Sequence, residues 1–378
     1  MSSKEVIERE NKFSAHNYHP MEFVWEKASG CRVWDPEGRQ YLDFLAAYSA
    51  TNQGHCHPRL VKALAVQASV LDIPSRAFYN SKFGEYAEFV TKYFGFESVL
   101  PMNTGAEAVE TSMKLVRKWG YEKKKVKEGE GIIISFTENF HGRTISIVSM
   151  STDPQAYTGF GPITPGFVTL PFGEEEPLRD FLSKNAGRTL AVLMEPIQGE
   201  AGIKIPKKGF LSAVRRLCTE NNVLLIADEI QSGLGRAGKL LACDWENVRP
   251  DVLVLGKALS GGLYPVSAVL SDWKVMECIR PGQHGSTYGG NPVGSVVAME
   301  ALKILREENL IENVCFPSFS FFHLFLLFPS LSPFSISFSF PSFPISFLSS
   351  CLFLFSLILS LLFSLILSLP LFPFLNQN

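Results

Sequence analysis

Two short apolar segments, each ending at a charged residue, constrain this chain more than any other feature of its sequence. Residues 223–227 lead into Asp228, and residues 252–256 lead into Lys257. Short apolar runs rich in β-branched residues are typical of strands that are buried on both faces of a parallel sheet. Open sheets of this kind bind ligands at the carboxyl ends of their strands, which is where the two charged groups are expected to lie.

The rest of the pattern fits the same architecture. Similar apolar runs occupy residues 132–136 and 190–194. Helical patterns of apolar residues lie around them, at 58–71, 81–93, 104–119, 209–220 and 293–308. This alternation predicts an α/β fold with three layers (αβα), in which helices cover both faces of a mostly parallel sheet. Residues 32–43 predict a β-hairpin that turns at residues 35–38.

Composition narrows the class of protein. The formal net charge of −2 favours neither nucleic acid nor an anionic membrane surface as a partner. The seven cysteines are scattered and lack the spacing of a zinc site, so we expect no metal and a reducing compartment. Residues 1–10 contain three glutamates and no apolar run, which opposes a secretory signal or a mitochondrial transit peptide and favours a cytoplasmic location.

A carboxylate and a lysine at neighbouring strand ends suit the chemistry of pyridoxal 5′-phosphate. The amine of Lys257 would form a Schiff base with the aldehyde of that cofactor, and the carboxylate of Asp228 would keep the pyridine nitrogen protonated. The alternative is a buried Asp–Lys ion pair of purely structural use, since such pairs also occur at strand ends.

Four other segments favour the cofactor. Residues 103–106 place small residues at a helix N-terminus, where amides and the helix dipole bind phosphate. Residues 139–144 offer an aromatic ring and an arginine, and residues 195–200 set two acids and an amide after a predicted strand. Residues 285–291 form a glycine-rich turn with hydroxyls, which predicts a second phosphate cradle. Each segment taken alone is also typical of an ordinary helix cap or loop.

One motif is expected to be a turn rather than a site. Residues 233–238 have the GxGxxG spacing of a dinucleotide-binding loop. However, Asp228 and Glu229 lie between the predicted strand and the glycines, where they would repel a pyrophosphate.

Together these segments resemble the class III pyridoxal-phosphate aminotransferases, over roughly residues 10–314. The resemblance rests on residues 225–231, 256–262, NFHGRT at 139–144, EPIQGE at 195–200 and GSTYGGNP at 285–292. It implies the fold type I of pyridoxal-phosphate-dependent transferases. In this fold, residues 46–290 would form the large cofactor domain, residues 1–45 part of a small domain, and residues 291–314 a helix that connects the two.

The resemblance also implies the residues that bind the cofactor. Lys257 would carry it and later move the proton of the substrate, and Asp228 would pair with the pyridine nitrogen. The other cofactor-binding residues would be Gly105, Ala106, Phe140, His141, Gln231 and Thr287. Of these, Phe140 would stack on the ring, and Thr287 would reach the phosphate of a neighbouring subunit, which implies a homodimer.

The implied reaction transfers the distal amino group of L-ornithine to a 2-oxo acid such as 2-oxoglutarate, within arginine metabolism and proline biosynthesis. Tyr18 and Arg143 would hold the α-amino and α-carboxylate groups of ornithine, and Tyr48 would line the same pocket. Glu200 would neutralise a second arginine until the 2-oxo acid arrives. The alternatives within the family are enzymes that act on acetylornithine or 4-aminobutyrate.

The resemblance stops near residue 314. Of the 60 residues from 316 to 375, 54 are Phe, Ser, Leu or Pro, all of which have codons made only of pyrimidines. This bias indicates translation of a pyrimidine-rich non-coding stretch, with the C-terminal small domain missing or replaced. A catalytically impaired truncation product is therefore an alternative to the active enzyme. The alternative is a membrane anchor, because residues 345–369 contain neither charge nor proline and are long enough to span a bilayer.

Overall fold

The structure, a computed structural model, describes residues 1–315, and only the backbone of Cys315. The low-complexity tail that begins at residue 315, including the predicted membrane-like segment 345–369, otherwise lies outside the described residues. Within residues 1–315, no helix is both long and apolar enough to cross a membrane. Both interpretations of the tail therefore stay predictions.

The described residues alternate between strands and helices. The strands are β1 (Lys27–Ser29), β2 (Arg32–Trp34), β3 (Gln40–Leu42), β4 (Ser98–Met102), β5 (Ile132–Phe136), β6 (Phe167–Leu170), β7 (Thr189–Met194), β8 (Leu224–Asp228), β9 (Val252–Leu255) and β10 (Ser267–Ser271). The α-helices are α1 (Ser3–Phe13), α2 (Ala46–Ser49), α3 (Pro58–Ala68), α4 (Ser81–Phe94), α5 (Gly105–Glu122), α6 (Ile145–Val148), α7 (Pro154–Tyr157), α8 (Glu175–Asn185), α9 (Phe210–Glu220), α10 (Trp273–Met276), α11 (Pro292–Glu307) and α12 (Leu310–Cys315). Two 3₁₀ helices cover Ala242–Glu246 and Lys257–Ser260.

Seven strands form one sheet in the order β4-β10-β9-β8-β7-β5-β6. β10 runs antiparallel to both of its neighbours, and the remaining pairs are parallel. The mostly parallel sheet predicted from the sequence is thus confirmed. The sequence did not predict β4, β6 and β10. None of them is a continuous apolar run, because β4 and β10 contain serine, β4 also contains proline, and β6 contains threonine.

Both faces of the sheet are covered by helices, which gives the predicted three layers. Along β8, Leu224 and Ile226 pack in one buried cluster with α5, whereas Leu225 and Ala227 pack in another with α9. Successive strand side chains point to opposite faces, so a strand covered on both sides is apolar along most of its length. By the same alternation, Asp228 lies on the face that α5 covers.

The smaller N-terminal sheet contains the antiparallel strands β1, β2 and β3. Strands β2 and β3 confirm the predicted hairpin, and the carboxylate of Asp35 accepts from the backbone amide of Arg39 across its turn. Residues 230–237 form the turn predicted for the glycine motif. The division into residues 1–45, 46–290 and 291–314 stays a prediction.

Candidate active site

The parallel pairing of β8 with β9 brings the two predicted catalytic residues to one edge of the sheet. Asp228 is the last residue of β8 and lies opposite Val254 of β9. Lys257 follows three residues after Val254, immediately beyond the same end of β9. Because the carboxyl ends of parallel strands share an edge, an acid and a lysine far apart in sequence become neighbours.

Asp228 is buried and hydrogen-bonded to a histidine. It is 3% exposed, and its Oδ2 lies 2.7 Å from Nδ1 of His141. Its Oδ1 accepts from the amide of Ile230 at 3.1 Å. Burial lowers the pKa of His141, but its hydrogen bond to Asp228 and the charges of Asp228 and Glu195 outweigh burial, so the pKa of His141 is raised. The imidazole therefore favours carrying a proton towards the carboxylate.

Lys257 is half-buried in a neighbourhood of acids. Burial lowers the pKa of Lys257, and the carboxylates of Glu200, Asp228 and Glu195 oppose that shift. Its backbone has a φ of +44°, in the left-handed region that side chains other than glycine seldom adopt. Strained backbone of this kind is concentrated at functional sites. A lowered pKa makes the neutral, nucleophilic amine more accessible near neutral pH.

Glu195 also belongs to this cluster, although the sequence did not single it out as a site residue. Burial raises the pKa of Glu195 to about 7, and the charge of Asp228 adds to the increase. The proximity of His141, the amide of Phe140 and Lys257 acts in the opposite direction. Its signal in the sequence is an acid that directly follows an apolar strand.

The start of α5 is where the sequence predicts a phosphate site, and this role stays a prediction. Thr104 and Glu107 form a capping box. The carboxylate of Glu107 accepts hydrogen bonds from the backbone amides of Asn103 and Thr104 at 3.0 and 2.8 Å. Gly105 and Ala106 follow as the first two helical residues, whose amides an α-helix leaves without internal acceptors. These free amides fit the predicted role of binding a phosphate.

The loop after β5 packs closely against this cradle. A Cβ atom at Gly142, which has a φ of +130°, would lie 3.0 Å from the Cβ of Ala106. The loop carries Phe140, His141 and Arg143 to the edge where Asp228 and the start of α5 lie.

Gln231, Glu200 and Tyr48 come together in the structure. The side-chain amide of Gln231 donates to Oε1 of Glu200 at 2.9 Å and to the carbonyl of Tyr48 at 3.5 Å. Tyr48 lies in α2, a single turn whose four residues, 46–49, have left-handed φ values between 47° and 72° rather than those of a regular α-helix. These three predicted residues therefore border one region, although two of them are nearly 200 residues apart.

The remaining predicted residues are exposed and less closely gathered. Arg143 lies with its guanidinium carbon 5.6 Å from the centre of the Phe140 ring. Tyr18 is 71% exposed, and Thr287 lies on an exposed loop that a hydrogen bond of 2.8 Å from Asn103 to Ser286 ties to the start of α5. Their roles towards substrate and a second subunit stay predictions.

The chemistry of these groups fits pyridoxal phosphate. Helix-terminal amides of Gly105 and Ala106 match its phosphate, and the buried carboxylate of Asp228 matches a protonated pyridine nitrogen. The amine of Lys257 matches the aldehyde, and the aromatic ring of Phe140 is available to cover the pyridine.

Gly199 offers a test of the position of Gln231. A Cβ atom there would lie 1.7 Å from Oε1 of Gln231, so we expect Gly199→Ala to push this amide away from Glu200. Losing the hydrogen bond between Gln231 and Glu200 should lower kcat/KM for the reaction at this site about tenfold, the effect of one hydrogen bond. Steady-state kinetics checks this, with Gly187→Ala as the control because a Cβ at Gly187 meets open space. Equal kinetics for both variants would contradict the close packing of Gln231 on Gly199.

A family model and the sequences of two known proteins each match most of this chain. The family model for aminotransferase class-III matches residues 13–316. The chain is 58% identical over 312 residues to the mitochondrial ornithine aminotransferase of Arabidopsis thaliana, covering 82% of this chain and 66% of that protein. It is 55% identical over 321 residues to the ornithine aminotransferase of Emericella nidulans, covering 82% of this chain and 70% of that protein.

Solved structures agree with these relatives. The ornithine aminotransferase of Toxoplasma gondii aligns with a TM-score of 0.82 at 44% identity, covering 83% of this chain and 74% of that one. The acetylornithine aminotransferase of Elizabethkingia anophelis aligns with a TM-score of 0.77 at 55% identity, covering 83% of this chain and 76% of that one. Another Toxoplasma gondii ornithine aminotransferase structure holds pyridoxal phosphate at partial occupancy.

The chain spans about two thirds of the length of the plant relative, 66%. Within that span, the fold type I sheet and the lysine–aspartate edge lie inside the family match at residues 13–316. Enzymes of this family depend on pyridoxal phosphate, which the site residues fit. The chain belongs to the class-III aminotransferase family.

Proposed function

We propose that this protein transfers the distal amino group of L-ornithine to a 2-oxo acid, with 2-oxoglutarate as the expected acceptor. The products are L-glutamate 5-semialdehyde and an amino acid. The observation that carries the proposal is the buried Asp228–His141 pair beside the partly desolvated Lys257 at the carboxyl edge of the sheet. The similarity to ornithine aminotransferases supports the choice of donor.

Bound pyridoxal phosphate supplies an electron-accepting ring. Asp228 would hold the proton of the pyridine nitrogen, and the hydrogen bond from Nδ1 of His141 fixes the orientation of this carboxylate. The Nζ atom of Lys257 would hold the cofactor and then move the proton of the substrate, a role that its lowered pKa supports.

The surrounding residues would orient the cofactor. Gly105 and Ala106 would bind the phosphate through their amides, and Phe140 would cover one face of the ring. Gln231 would contact the ring hydroxyl. Thr287 would contact the phosphate of a second subunit, and its exposed position supports the proposal of a homodimer.

The substrate would be held by charge and shape. The guanidinium of Arg143 suits the α-carboxylate of ornithine, since arginine binds carboxylates through paired hydrogen bonds. Tyr18 would contact the α-amino group, and Tyr48 would line the pocket. Glu200, held by Gln231, would neutralise a second arginine until the 2-oxo acid binds.

The cellular setting is also proposed. A cytoplasmic location and a role in arginine metabolism and proline biosynthesis stay predictions. The relative from Arabidopsis thaliana is named as mitochondrial, whereas the name of the relative from Emericella nidulans gives no location.

Acetylornithine is the second candidate donor. The solved acetylornithine aminotransferase is 55% identical to this chain, against 44% for the solved ornithine aminotransferase of Toxoplasma gondii. The two donors differ only at the α-nitrogen, which is charged in ornithine and acylated in acetylornithine.

A competition assay tests the proposal. The full chain, supplied with pyridoxal phosphate and 2-oxoglutarate, is offered ornithine, acetylornithine and 4-aminobutyrate separately. We expect kcat/KM for ornithine to exceed the others by at least about 100-fold, as in sites that bond a substrate polar group. A larger kcat/KM for acetylornithine or 4-aminobutyrate would reassign the donor. Product formation from ornithine without turnover of 2-oxoglutarate would identify the impaired form.

A further inference from the structure

We propose that Glu195 is a positioning residue that fixes the backbone of Phe140, and with it the ring that covers the cofactor. The inference rests on the proposed function, because it takes Phe140 to be the residue that covers pyridoxal phosphate. It assigns a role to the first acid of the EPIQGE segment, which the proposed chemistry does not use.

Two loops meet where Glu195 acts. The Phe140 loop (residues 137–144) follows β5, and residues 195–200 follow β7, the parallel neighbour of β5. The amide of Phe140 donates to Oε2 of Glu195 at 3.0 Å, and Glu195 is 5% exposed. Nearby, Gln198, 1% exposed, donates from Nε2 to the carbonyl of Thr137 at 2.8 Å. Residues 195–200 therefore hold the Phe140 loop in place through two buried hydrogen bonds.

The residues on either side of Phe140 have anchors of their own. The side chain of Asn139 donates to the carbonyls of Phe136 and Met150, and His141 is bonded to Asp228. Among the described residues, Glu195 is the acceptor found for the amide of Phe140. Loss of the carboxylate would leave this amide without that acceptor, which favours local rearrangement of Phe140 itself.

The charge of Glu195 depends on pH in the working range. It faces His141 and Phe140 of the loop after β5, Asp228 of β8 and Lys257 beyond β9, and its pKa is raised to about 7, chiefly by burial. Above pH 7 the carboxylate accepts from the Phe140 amide as a charged acceptor, and below pH 7 as a weaker neutral one. The hydrogen bond that Glu195 accepts from the Phe140 amide should therefore become stronger as pH rises.

Three variants of the full chain test the proposal. Glu195→Ala removes the acceptor, whereas Glu195→Gln keeps an acceptor that cannot ionise. Glu138→Gln is the matched control, because Glu138 is an exposed acid of the Phe140 loop that pairs with Lys204, four residues beyond the second loop. The dissociation constant of pyridoxal phosphate is measured by fluorescence titration at pH 6 and pH 8, and circular dichroism establishes that each cofactor-free variant is folded.

We expect Glu195→Ala to weaken cofactor binding about tenfold at pH 8, the effect of an unpaired buried amide. Glu195→Gln should match the native protein at pH 6 and bind about threefold more weakly at pH 8, since only the charged form is lost. Glu138→Gln should bind as the native protein does.

Native affinity in a folded Glu195→Ala variant would overturn the proposal, as would an equal loss in Glu138→Gln. If Glu195→Ala does not fold, Glu195→Gln decides the outcome. Its dissociation constant for pyridoxal phosphate is then divided by that of the native protein, and an equal ratio at pH 6 and pH 8 overturns the proposal. Failure of the native chain to bind pyridoxal phosphate or to use ornithine would instead refute the proposed function, so the two failures are distinguishable.

Discussion

Replacing Lys257 with alanine is expected to lower the turnover of ornithine by at least about 10³-fold, because within residues 1–315 it is the amine that lies at this strand end to carry the cofactor and move the substrate proton. The visible absorption that pyridoxal phosphate acquires on binding to a lysine should disappear as well. Lys257 is half-buried among the carboxylates of Glu200, Asp228 and Glu195.

The control for this variant is Lys274→Ala. Lys274 is exposed and follows β10, whose antiparallel direction places it at the opposite edge of the sheet from Lys257. It should retain both native turnover and native absorption. Turnover by Lys257→Ala within about tenfold of the native rate would contradict the assignment of the catalytic lysine.

The second large effect concerns the buried pair beneath the site. Asp228→Asn is expected to reduce turnover at least about 100-fold, because a neutral amide cannot stabilise a protonated pyridine nitrogen. It should also lower the free energy of unfolding by about 3 kcal/mol, since it breaks a buried ion pair with His141.

The stability effect has a defined pH dependence. The pKa of His141 is raised in the folded protein: burial lowers it, and the hydrogen bond and charge of Asp228 prevail. The stabilisation by a protonated histidine is therefore fully present below the unfolded pKa of about 6.5 and lost as pH rises through the folded pKa. We expect the difference between native protein and Asp228→Asn to be larger at pH 6 than at pH 9.

Urea denaturation of the cofactor-free protein at both pH values measures this difference. Asp272→Asn serves as the control, because Asp272 forms an ion pair with Arg249 nearer the surface. Loss of this ion pair should lower the free energy of unfolding by less than about 1 kcal/mol, and this decrease should be the same at pH 6 and pH 9. An effect of Asp228→Asn that grows with pH would show that His141 is not held protonated by Asp228.

Local patterns in the sequence predicted the elements that carry the chemistry. The runs that form β5, β7, β8 and β9 are almost entirely apolar, because helices cover both faces of the sheet, and such runs can be recognised from the local sequence alone. The capping box at Thr104 likewise predicted the start of α5. Lys257 and Asp228 could be placed at strand ends for the same reason.

Contacts between distant segments were decided by the tertiary structure. His141 meets Asp228 across 87 residues, and Phe140 meets Glu195 across 55. These contacts depend on which strands are neighbours and on the register of their ends, which no local pattern specifies. The same holds for β4 and β10, which become strands by pairing with each other rather than by their own sequences.

The sequence by itself thus determined the chemical groups of the site and the strands that present them, because burial of each strand leaves a local imprint of apolar residues. Only the tertiary structure decided which histidine is hydrogen-bonded to Asp228 and which acid accepts from the Phe140 loop. It also decided that Gly199 has no room for a side chain beside Gln231. Hydrogen bonds and charges act over a few ångströms, so their partners are set by packing and not by sequence distance.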